Sequence, residues 1–380
     1  MADDRYAFIV EWYEEMAART RTFQFFYFSG SKSIEMFDIK TRKMFLKTNL
    51  ASCNIDLQDL FIGASINVLG RQLKIVEFGD EFTKRKLVSK LEKTLGYIKP
   101  DAVDKLGDVL EAISERGLLI AKMRLCKMTE NDAFLFYQEH SGKSFMRDLL
   151  NYVTQGPVVA FELVGENAIN RWRELIGPTD PSKARAEAST SLRARFGTDV
   201  THNGFHGSDS PASASREIEF FFPSSGRNTL PNCVCGSSTT CCIIKPHAIK
   251  AGIAGKIINA IIDAGYKVNT IGQFDMEKAN VEEFYEVYKG VLHEYPGMVN
   301  ELCSGPVIAM EISSRGNQAT VAEAFRETCG PMDPEIARHL RPRTLRALFG
   351  LTKVQNAVHC TDLPEDAPLE VEYFFKILDR

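Results

Sequence analysis

Two histidines in this chain stand in nearly the same local sequence. NGFHGSDS (203–210) surrounds His206, and NAVHCTDL (356–363) surrounds His359. A lone loop histidine is usually a surface or packing residue, but the recurrence of N-x-x-H-x-[ST]-D favours a chemical role. A neutral imidazole can act as a nucleophile near pH 7 when a carboxylate fixes its tautomer.

The two histidines belong to a long internal repeat. TLGYIKPDAV (94–103) matches TCCIIKPHAI (240–249), and GPVVAFEL (156–163) matches GPVIAMEI (305–312). From Arg173 and Arg326 onward the two copies keep a constant offset of 153 residues. The offset is 146 at the lysines, Lys99 and Lys245, so the second copy is seven residues longer before its first arginine. The chain therefore contains two copies of one domain.

Each copy keeps the same small set of polar residues. The first copy has Lys99, Arg173, Arg193, Asn203, His206 and Glu217, and the second has Lys245, Arg326, Arg346, Asn356, His359 and Glu370. Three cations can neutralise phosphate oxygens while an imidazole attacks phosphorus, so this set predicts phosphoryl transfer. AGIAGKI (251–257) is too short for a P-loop and lacks its hydroxyl residue, so any nucleotide must bind by another design.

Hydrophobic periodicity predicts the elements of each copy. In the first copy it indicates strands at 93–99, 118–128 and 156–163, with helices after each, and Gly117 as the residue that stops the first helix. REIEFFF (216–222) is predicted as the last strand. The order is βαββαβ, which indicates an α+β chain with two tandem ferredoxin-like α/β sandwich domains.

Composition shifts divide the chain. Residues 1–91 alternate apolar and polar positions around turns, as in FQFFYF (23–28), and predict a β-rich domain of hairpins. The first repeat domain spans 92–222, a Pro-, Gly- and Ser-rich linker spans 223–238, and the second repeat domain spans 239–380.

Charge and cysteine content narrow the function class. A net charge of −4 gives no broad basic field, so we expect no specific nucleic-acid partner. The sequence has no apolar run of membrane-spanning length and no secretory signal, and its nine cysteines favour free thiols in the cytoplasm. Cys233, Cys235, Cys241 and Cys242 lack the usual zinc spacing, and we expect no metal there.

Both copies resemble nucleoside diphosphate kinases. The family has a lysine in a "KPD" turn after the first strand and a phosphorylated histidine in an N-x-x-H-G-S-D loop. The whole chain is similar to the family's seventh group, in which a PH-like DM-ten domain precedes two kinase domains. The resemblance implies ping-pong transfer of the γ-phosphate of ATP or GTP to nucleoside diphosphates, with Mg²⁺. It also implies tubulin, axonemal and γ-tubulin complex partners, at the cytoskeleton of the cilium axoneme and centrosome.

The resemblance also assigns roles to residues of the first copy. His206 is the nucleophile, Lys99, Arg173, Thr179 and Arg193 bind phosphates, and Asn203 contacts the ribose. Tyr137 and Glu217 orient His206, and Phe145 and Val200 pack on the base. No protein residue binds the metal, because phosphates and water hold Mg²⁺.

The second copy departs from the family pattern. Met332 replaces the phosphate-binding threonine, Cys360 the glycine after the histidine, and Lys353 the base-packing valine. Tyr288 and Tyr295 match the tyrosine and phenylalanine only if one residue is deleted between them. We therefore expect activity in the first copy, and in the second either a weak site or a pocket that binds nucleotide structurally.

Two readings of the whole chain remain at this stage. One is an enzyme that works through His206, and the other is a structural component of axonemal doublet microtubules with little or no catalysis. Family enzymes are built on dimers, and a tandem chain can form that contact internally. We accordingly expect a monomer, or a pseudo-dimer within one chain.

Overall fold

A computed structural model describes residues 4–14, 17–50, 55–88, 91–226, 230–236, 238–316 and 321–379. Its contacts form two compact units, Met1–Leu91 with Asp275–Pro306, and Glu92–Phe274 with Val307–Arg380. Within the described ranges, none of the helices has the length and apolar character needed to cross a membrane.

The strands are, in chain order, β1 (Arg5–Glu14), β2 (Arg19–Phe28), β3 (Ser33–Asp38), β4 (Lys43–Asn49), β5 (Ser65–Val68), β6 (Arg71–Phe78), β7 (Glu92–Ile98), β8 (Leu119–Cys126), β9 (Val158–Gly165), β10 (Phe205–Gly207), β11 (Thr239–Ile244), β12 (Tyr266–Phe274), β13 (Val307–Ser314) and β14 (Val358–Cys360).

The α-helices are α1 (Glu81–Val88), α2 (Leu106–Glu115), α3 (Glu130–Phe136), α4 (Met146–Thr154), α5 (Ala168–Ile176), α6 (Pro181–Glu187), α7 (Leu192–Phe196), α8 (Pro211–Phe221), α9 (Pro246–Lys250), α10 (Ala254–Asp263), α11 (Lys278–Phe284), α12 (Tyr295–Leu302), α13 (Val321–Cys329), α14 (Pro334–Leu340), α15 (Leu345–Phe349) and α16 (Ala367–Glu372). The shorter helical turns are Leu57–Asp59, Pro100–Lys105, Gln138–His140, Glu286–Tyr288, Pro364–Asp366 and the π-helical Tyr373–Leu378.

The first unit is built on an antiparallel sheet in the order β4-β3-β2-β1-β6-β5. The aromatic run of β2 buries Phe23, Phe25 and Tyr27 and leaves the residues between them half-buried, so its period of two places one face on the core. The prediction of a β-rich N-terminal region is confirmed.

Residues 275–306 pack with this sheet although they belong to the second repeat in sequence. The amide of Asn67 donates to the carbonyl of Cys303 at 3.2 Å, and that of Gln72 donates to the carbonyl of Met276 at 2.7 Å. The compact units therefore do not follow the repeat boundaries read from the sequence.

The second unit holds the remainder of both repeats around one sheet, ordered β10-β7-β9-β8-β12-β13-β11-β14. Each half is a four-stranded antiparallel sheet with the ferredoxin-like strand order, and the predicted α/β sandwich folds are confirmed. Gly117 ends α2 as predicted: it adopts φ +64°, and Leu118 N–H donates to the carbonyl of Ile113 at 3.2 Å.

The prediction of a final strand at 216–222 is wrong, because residues 216–221 lie in helix α8 and Phe222 is its C-cap. Ser210 caps the helix by accepting a hydrogen bond from the Ser213 N–H at 3.2 Å, and Pro211 occupies its first position. The buried residues Ala214, Glu217 and Phe221 recur every three to four positions. The last strand is instead the short β10, which carries His206.

The two copies pair within this unit. Strands β8 and β12 join at Arg124 and Gly272, and helices α2 and α10 pack together. A Cβ on Gly255 would lie 2.4 Å from the carbonyl oxygen of Gly107, so this close helix crossing requires glycine. The two copies therefore contact each other within this unit, and the oligomeric state stays a prediction.

Candidate active site

A cavity of about 430 Å³ in the first copy is lined by every residue predicted for its site. Those residues are Lys99, Tyr137, Phe145, Arg173, Thr179, Arg193, Val200, Asn203, His206 and Glu217. They come from five separate stretches of the chain, at 99, 137–145, 173–179, 193–206 and 217, and the pairing of β10 with β7 sets the central geometry. His206 lies opposite Tyr97, and the N–H of Lys99 donates to the carbonyl of Gly204 at 2.8 Å.

A carboxylate fixes the His206 ring. Its Nε2 lies 2.9 Å from Oε2 of Glu217, and the Ser208 hydroxyl donates to the same oxygen at 2.7 Å. An ionised carboxylate only accepts hydrogen bonds, so the ring proton belongs on Nε2 and the Nδ1 lone pair is left for chemistry. The His206 side chain is 19% exposed and Glu217 only 4%, which places the nucleophile at the cavity and its holder behind it.

Aromatic rings hold the imidazole plane. Tyr97 stacks on His206 with ring centres 5.0 Å apart, and Phe136 meets it edge-on at 5.2 Å. The Tyr137 hydroxyl hydrogen-bonds to that of Tyr97. Tyr137 thus orients His206 through Tyr97 as well as by its own edge-on contact at 6.1 Å. Burial, and then the nearby charge of Glu217, raise the pKa of Tyr137, so it stays a neutral phenol.

Lys99 is a buried cation. Its ammonium donates to Oδ1 of Asn203 at 2.8 Å and lies 5.5 Å from the centre of the Tyr152 ring. Burial, and then the neighbouring Arg193 charge, lower the pKa of Lys99 to about 7. A bound phosphate would stabilise the protonated form and raise this pKa again.

Arg193 is the second buried cation. It donates to the carbonyls of Gly177 at 2.6 Å and Phe205 at 2.8 Å, while its buried Nε has no hydrogen-bond partner among the described residues. Burial, and then the charge of Arg173, lower the pKa of Arg193. Arg173 itself is exposed at the cavity. Carbonyl dipoles alone compensate Arg193, so an anionic ligand would complete its environment.

Asn203 is already committed within the protein. Its amide nitrogen donates to the carbonyls of Thr179 at 3.2 Å and Val200 at 2.9 Å. Only the second lone pair of Oδ1 remains, so a sugar hydroxyl would have to donate to it. Asn203 therefore positions Lys99 and the backbone at Thr179 and Val200, in addition to its expected ribose contact.

Phe145 and Val200 lie at the cavity with 46% and 59% of their surface exposed. Large apolar side chains exposed at a polar cavity are suited to cover a flat aromatic ligand. Such a contact depends on the flat face of the ligand ring and not on the polar groups at its edge.

Sequence reasoning left out Tyr97, Ser208 and Trp172. Ser208 could have been found, because Thr361 keeps its hydroxyl at the same offset. Tyr97 gives no such signal, because the second copy has Ile243 there. Trp172 matters through its Nε1–H, which donates to the carbonyl of His206 at 2.9 Å.

The sequence comparisons agree with this geometry. The family profile described as Nucleoside diphosphate kinase matches residues 92–226 and 238–379. The chain belongs to the nucleoside diphosphate kinase family. Nucleoside diphosphate kinase homolog 7 from Mus musculus is 51% identical over 377 residues, which span 99% of this chain and 94% of that protein.

The same homolog from Rattus norvegicus has the same identity and coverage. The chain is thus a homologue of the seventh group. Among solved structures, the nucleoside diphosphate kinase of Halobacterium salinarum in complex with CDP is 32% identical, with a TM-score of 0.34, and covers 36% of this chain and 90% of that one.

The second kinase copy retains much of the histidine geometry. His359 Nε2 lies 3.1 Å from Oε2 of Glu370, and the Thr361 hydroxyl donates to that oxygen at 2.8 Å. Arg346 donates to the carbonyl of Gly330 at 2.8 Å, as Arg193 does to Gly177. The Lys245 ammonium, however, donates to the carbonyl of Val354 at 2.8 Å.

Other parts of the second copy have changed. Arg326 donates to Asp362 at 2.6 Å, while in the first copy the equivalent Asp209 hydrogen-bonds to the serines of the α8 cap. Asn356 keeps its donation to the carbonyl of Met332, at 3.1 Å. Ala357 adopts φ +71°, a conformation that costs an L-residue about 1 kcal/mol and that Gly204 adopts in the first copy without this penalty.

Tyr288 and Tyr295 lie in the first compact unit. Tyr288 ends the turn Glu286–Tyr288, and Tyr295 begins α12. Their predicted place beside His359 stays a prediction.

Trp172 controls the space around the first-copy histidine. A Cβ on Gly207 would lie 2.6 Å from Cδ1 of Trp172, and a Cβ on Gly96 would lie 2.6 Å from Cε2. The second copy carries Phe325 at the tryptophan position, and Cys360 and Cys242 at the two glycine positions. The smaller aromatic ring and the larger neighbours compensate in volume.

This exchange predicts non-additive mutations. Gly207→Ala should lower the free energy of unfolding by about 1–3 kcal/mol, because the indole blocks the new methyl group. The double variant that also carries Trp172→Phe should lose less free energy of unfolding than the sum of the two single-variant losses. The difference, the coupling energy, should be about 1 kcal/mol. Urea unfolding of the four proteins measures this, and strictly additive values would contradict it.

The lowered pKa of Lys99 predicts proton uptake on ligand binding. At pH 8 the empty site holds Lys99 largely neutral, and a bound diphosphate should recruit a proton to it. Calorimetry of ADP binding in two buffers of different ionisation enthalpy should show uptake at pH 8 that diminishes toward pH 6.

The uptake should vanish in Lys99→Met and persist in Lys183→Met, a control at an exposed lysine. Equal uptake in wild type and Lys99→Met would assign the proton to another group.

Proposed function

We propose that this protein transfers the γ-phosphate of a nucleoside triphosphate to a nucleoside diphosphate through a phosphohistidine at His206. The observation that carries the proposal is the Glu217–His206 pair facing a cavity with two buried cations. Within the described part of the chain, the hydrogen bonds of Lys99 and Arg193 reach no carboxylate, which suits both side chains to phosphate oxygens.

The geometry supports a two-step exchange. In the first step the Nδ1 lone pair of His206 forms a bond to the γ-phosphorus, and the bond from that phosphorus to the bridging oxygen breaks. The diphosphate leaves with that electron pair. Glu217 stabilises the cationic ring because Nε2 keeps its proton throughout. In the second step a terminal phosphate oxygen of the acceptor attacks the phosphohistidine and returns the ring to its starting state.

The remaining cavity residues bind and orient. Lys99, Arg173 and Arg193 supply positive charge where the transferred phosphoryl group gains negative charge. Thr179 offers a hydroxyl donor at the same cavity. Phe145 and Val200 pack on the base face, so we expect little base preference.

We expect Mg²⁺ to enter the site bound to the nucleotide phosphates rather than to protein side chains. The described residues hold no cluster of three or more His, Cys, Asp or Glu side chains arranged for a metal. Glu217 is occupied by His206 and Ser208, and Asp209 by the serines of the α8 cap. Bound Mg²⁺ would neutralise phosphate charge while the phosphates and water supply its ligands.

Labelling with γ-labelled ATP and magnesium tests the proposal. Wild type should gain acid-labile, base-stable label that passes to a nucleoside diphosphate, and His206→Ala should lose it entirely. His359→Ala is the matched variant in the second copy and should retain most of the label. A wild type that binds nucleotide without labelling would reject catalysis and favour a structural role.

A structural role is the second candidate, favoured by the changed second copy. Its phosphate-site arginine is engaged by Asp362, and Lys353 lies 3.8 Å from Asp333 where the first copy has an exposed valine. In this proposal the protein is an inner component of axonemal doublet or centrosomal microtubules, in the cytoskeleton. The cluster TKRKL (83–87) lies on α1, where Lys84, Arg85 and Lys86 are all exposed and could face acidic tubulin.

Reversing the α1 charges tests this contact. Lys84→Glu, Arg85→Glu and Lys86→Glu together should weaken sedimentation with microtubules at least several-fold, and added salt should weaken wild type in the same direction. The same reversal at the exposed Lys183 and the half-buried Lys105 of the first kinase copy is the control. Unchanged sedimentation of the α1 variant would reject α1 as the contact.

A further inference from the structure

The ammonium of Lys99 lies against a tyrosine outside the predicted set of site residues. Tyr152 of α4 is only 3% exposed, and the centre of its ring lies 5.5 Å from Nζ of Lys99. An aromatic face attracts a cation through the electrons of the ring and brings no negative charge of its own. The ring of Tyr152 therefore covers the lysine without neutralising it.

The hydroxyl of Tyr152 binds the carboxylate that follows Lys99 in the chain. It donates a hydrogen bond to Oδ1 of Asp101, which lies two residues after Lys99 at the start of the turn Pro100–Lys105. The backbone of Gly204 also hydrogen-bonds to this hydroxyl. Burial, and then the hydrogen bond to Asp101, raise the pKa of Tyr152, so the phenol keeps the proton that it donates.

The carboxylates that line the cavity are bound by other groups. Glu217 holds the imidazole, Asp209 hydrogen-bonds to the serines of the α8 cap, and Glu139 accepts from an arginine at 3.1 Å. The carboxylate whose charge acts on Lys99 is Asp101. Asp101 is thus the acidic group that would compete with a phosphate for the lysine.

One hydroxyl keeps this carboxylate in place. Burial and then the Arg193 charge lower the pKa of Lys99, and the charge of Asp101 opposes them. Asp101 is exposed, so packing does not fix its side chain. His202, which packs on the tyrosine ring at 4.6 Å, has Nδ1 3.0 Å from its own carboxylate, Asp199. Without the tyrosine hydroxyl, Asp101 could turn to the ammonium and form an ion pair.

The second copy lacks this tyrosine–aspartate pair. The GPV stretches align Tyr152 with Glu301, and the two lysine–proline dipeptides align Asp101 with His247. The lysine of the second copy donates to a backbone carbonyl, whereas Lys99 donates to an asparagine side chain. The pair therefore belongs to the copy that keeps the whole predicted site.

We infer that Tyr152 is a positioning residue for phosphate binding, because it holds the Asp101 carboxylate away from Lys99 and leaves the lysine charge for a phosphate group. The inference rests on the proposed function, in which Lys99 binds a nucleotide phosphate. The ring supplies the cation–π contact, and phenylalanine would keep it. The hydroxyl controls the carboxylate, so its removal isolates the proposed effect.

NMR of the full chain with ¹³C at lysine Cε tests the inference, and Lys99→Met identifies the signal of Lys99. Tyr152→Phe should raise the pH midpoint of this signal by about half a pH unit or more, because the released carboxylate stabilises the ammonium. Asp101→Asn should lower the midpoint, and the double variant should match Asp101→Asn. Tyr266→Phe is the control, since Tyr266 is buried and its hydroxyl lies 3.1 Å from that of Thr328.

The four-protein comparison separates this role from simple packing. A midpoint in Tyr152→Phe equal to that of wild type would overturn the inference. An equal rise whether residue 101 is aspartate or asparagine would also overturn it, because the hydroxyl would then act without the carboxylate. Circular dichroism and the thermal midpoint check that each variant folds.

The NMR titration uses no nucleotide, so its result is independent of the ATP labelling. Label on His206 together with an unchanged midpoint in Tyr152→Phe would reject the role of Tyr152 alone. A raised midpoint in a protein that takes no label would support that role and reject phosphoryl transfer alone.

Discussion

The first-copy site depends on burying two positive charges, Lys99 and Arg193, whose hydrogen bonds within the described residues reach no carboxylate. Lys99 donates to an amide oxygen and Arg193 to two carbonyls. The pKa of Lys99 falls from 10.5 to about 7, and each unit corresponds to about 1.4 kcal/mol. Since the unfolded lysine keeps its proton to a higher pH, this group makes the empty fold less stable at pH 7 than at pH 10. A bound phosphate would stabilise the protonated form of Lys99 and remove this loss of stability. Part of the stability that the empty site lacks would therefore be gained when the ligand binds.

The same reasoning explains why the aromatic shell around His206 is dense. Tyr97, Phe136 and Tyr137 exclude water from one side of the ring, and Trp172 fixes the backbone at His206 O. A ring that cannot rotate keeps the Nδ1 lone pair aimed at the cavity. The second copy replaces Trp172 by Phe325 and fills the space with cysteines, so it keeps the packing volume and loses the indole hydrogen bond.

The polar site was predictable from sequence because a repeat supplies its own comparison. Residues kept at a constant offset, such as His206 and His359 or Glu217 and Glu370, stand out from positions that only conserve hydrophobic character. Helix α8 was not predictable in the same way. FFF (220–222) has the composition of a strand, and only the Ser-Pro cap nine residues earlier signals a helix.

The packing of residues 275–306 with the N-terminal sheet could not be predicted from the sequence either. Periodicity reports which face of an element is apolar, but it does not say which other element covers that face. The hydrogen bonds from Asn67 and Gln72 that hold this segment join residues more than 200 positions apart, and they end on backbone carbonyls. Every residue has a backbone carbonyl, so the residue types in the sequence do not reveal which carbonyl accepts such a bond.

Internal pairing changes what each copy must preserve. In a dimer of identical chains, every residue serves both subunits, so a change in one pocket alters both. Here α2 and α10 meet within one chain, and the second copy can change while the first remains intact. The two copies differ in this way: the first keeps its predicted site residues around one cavity, and the second has Met332 and Lys353 at two of those positions and an arginine, Arg326, that donates to Asp362. Fusion thus permits one copy to retain its set of polar residues while the other changes.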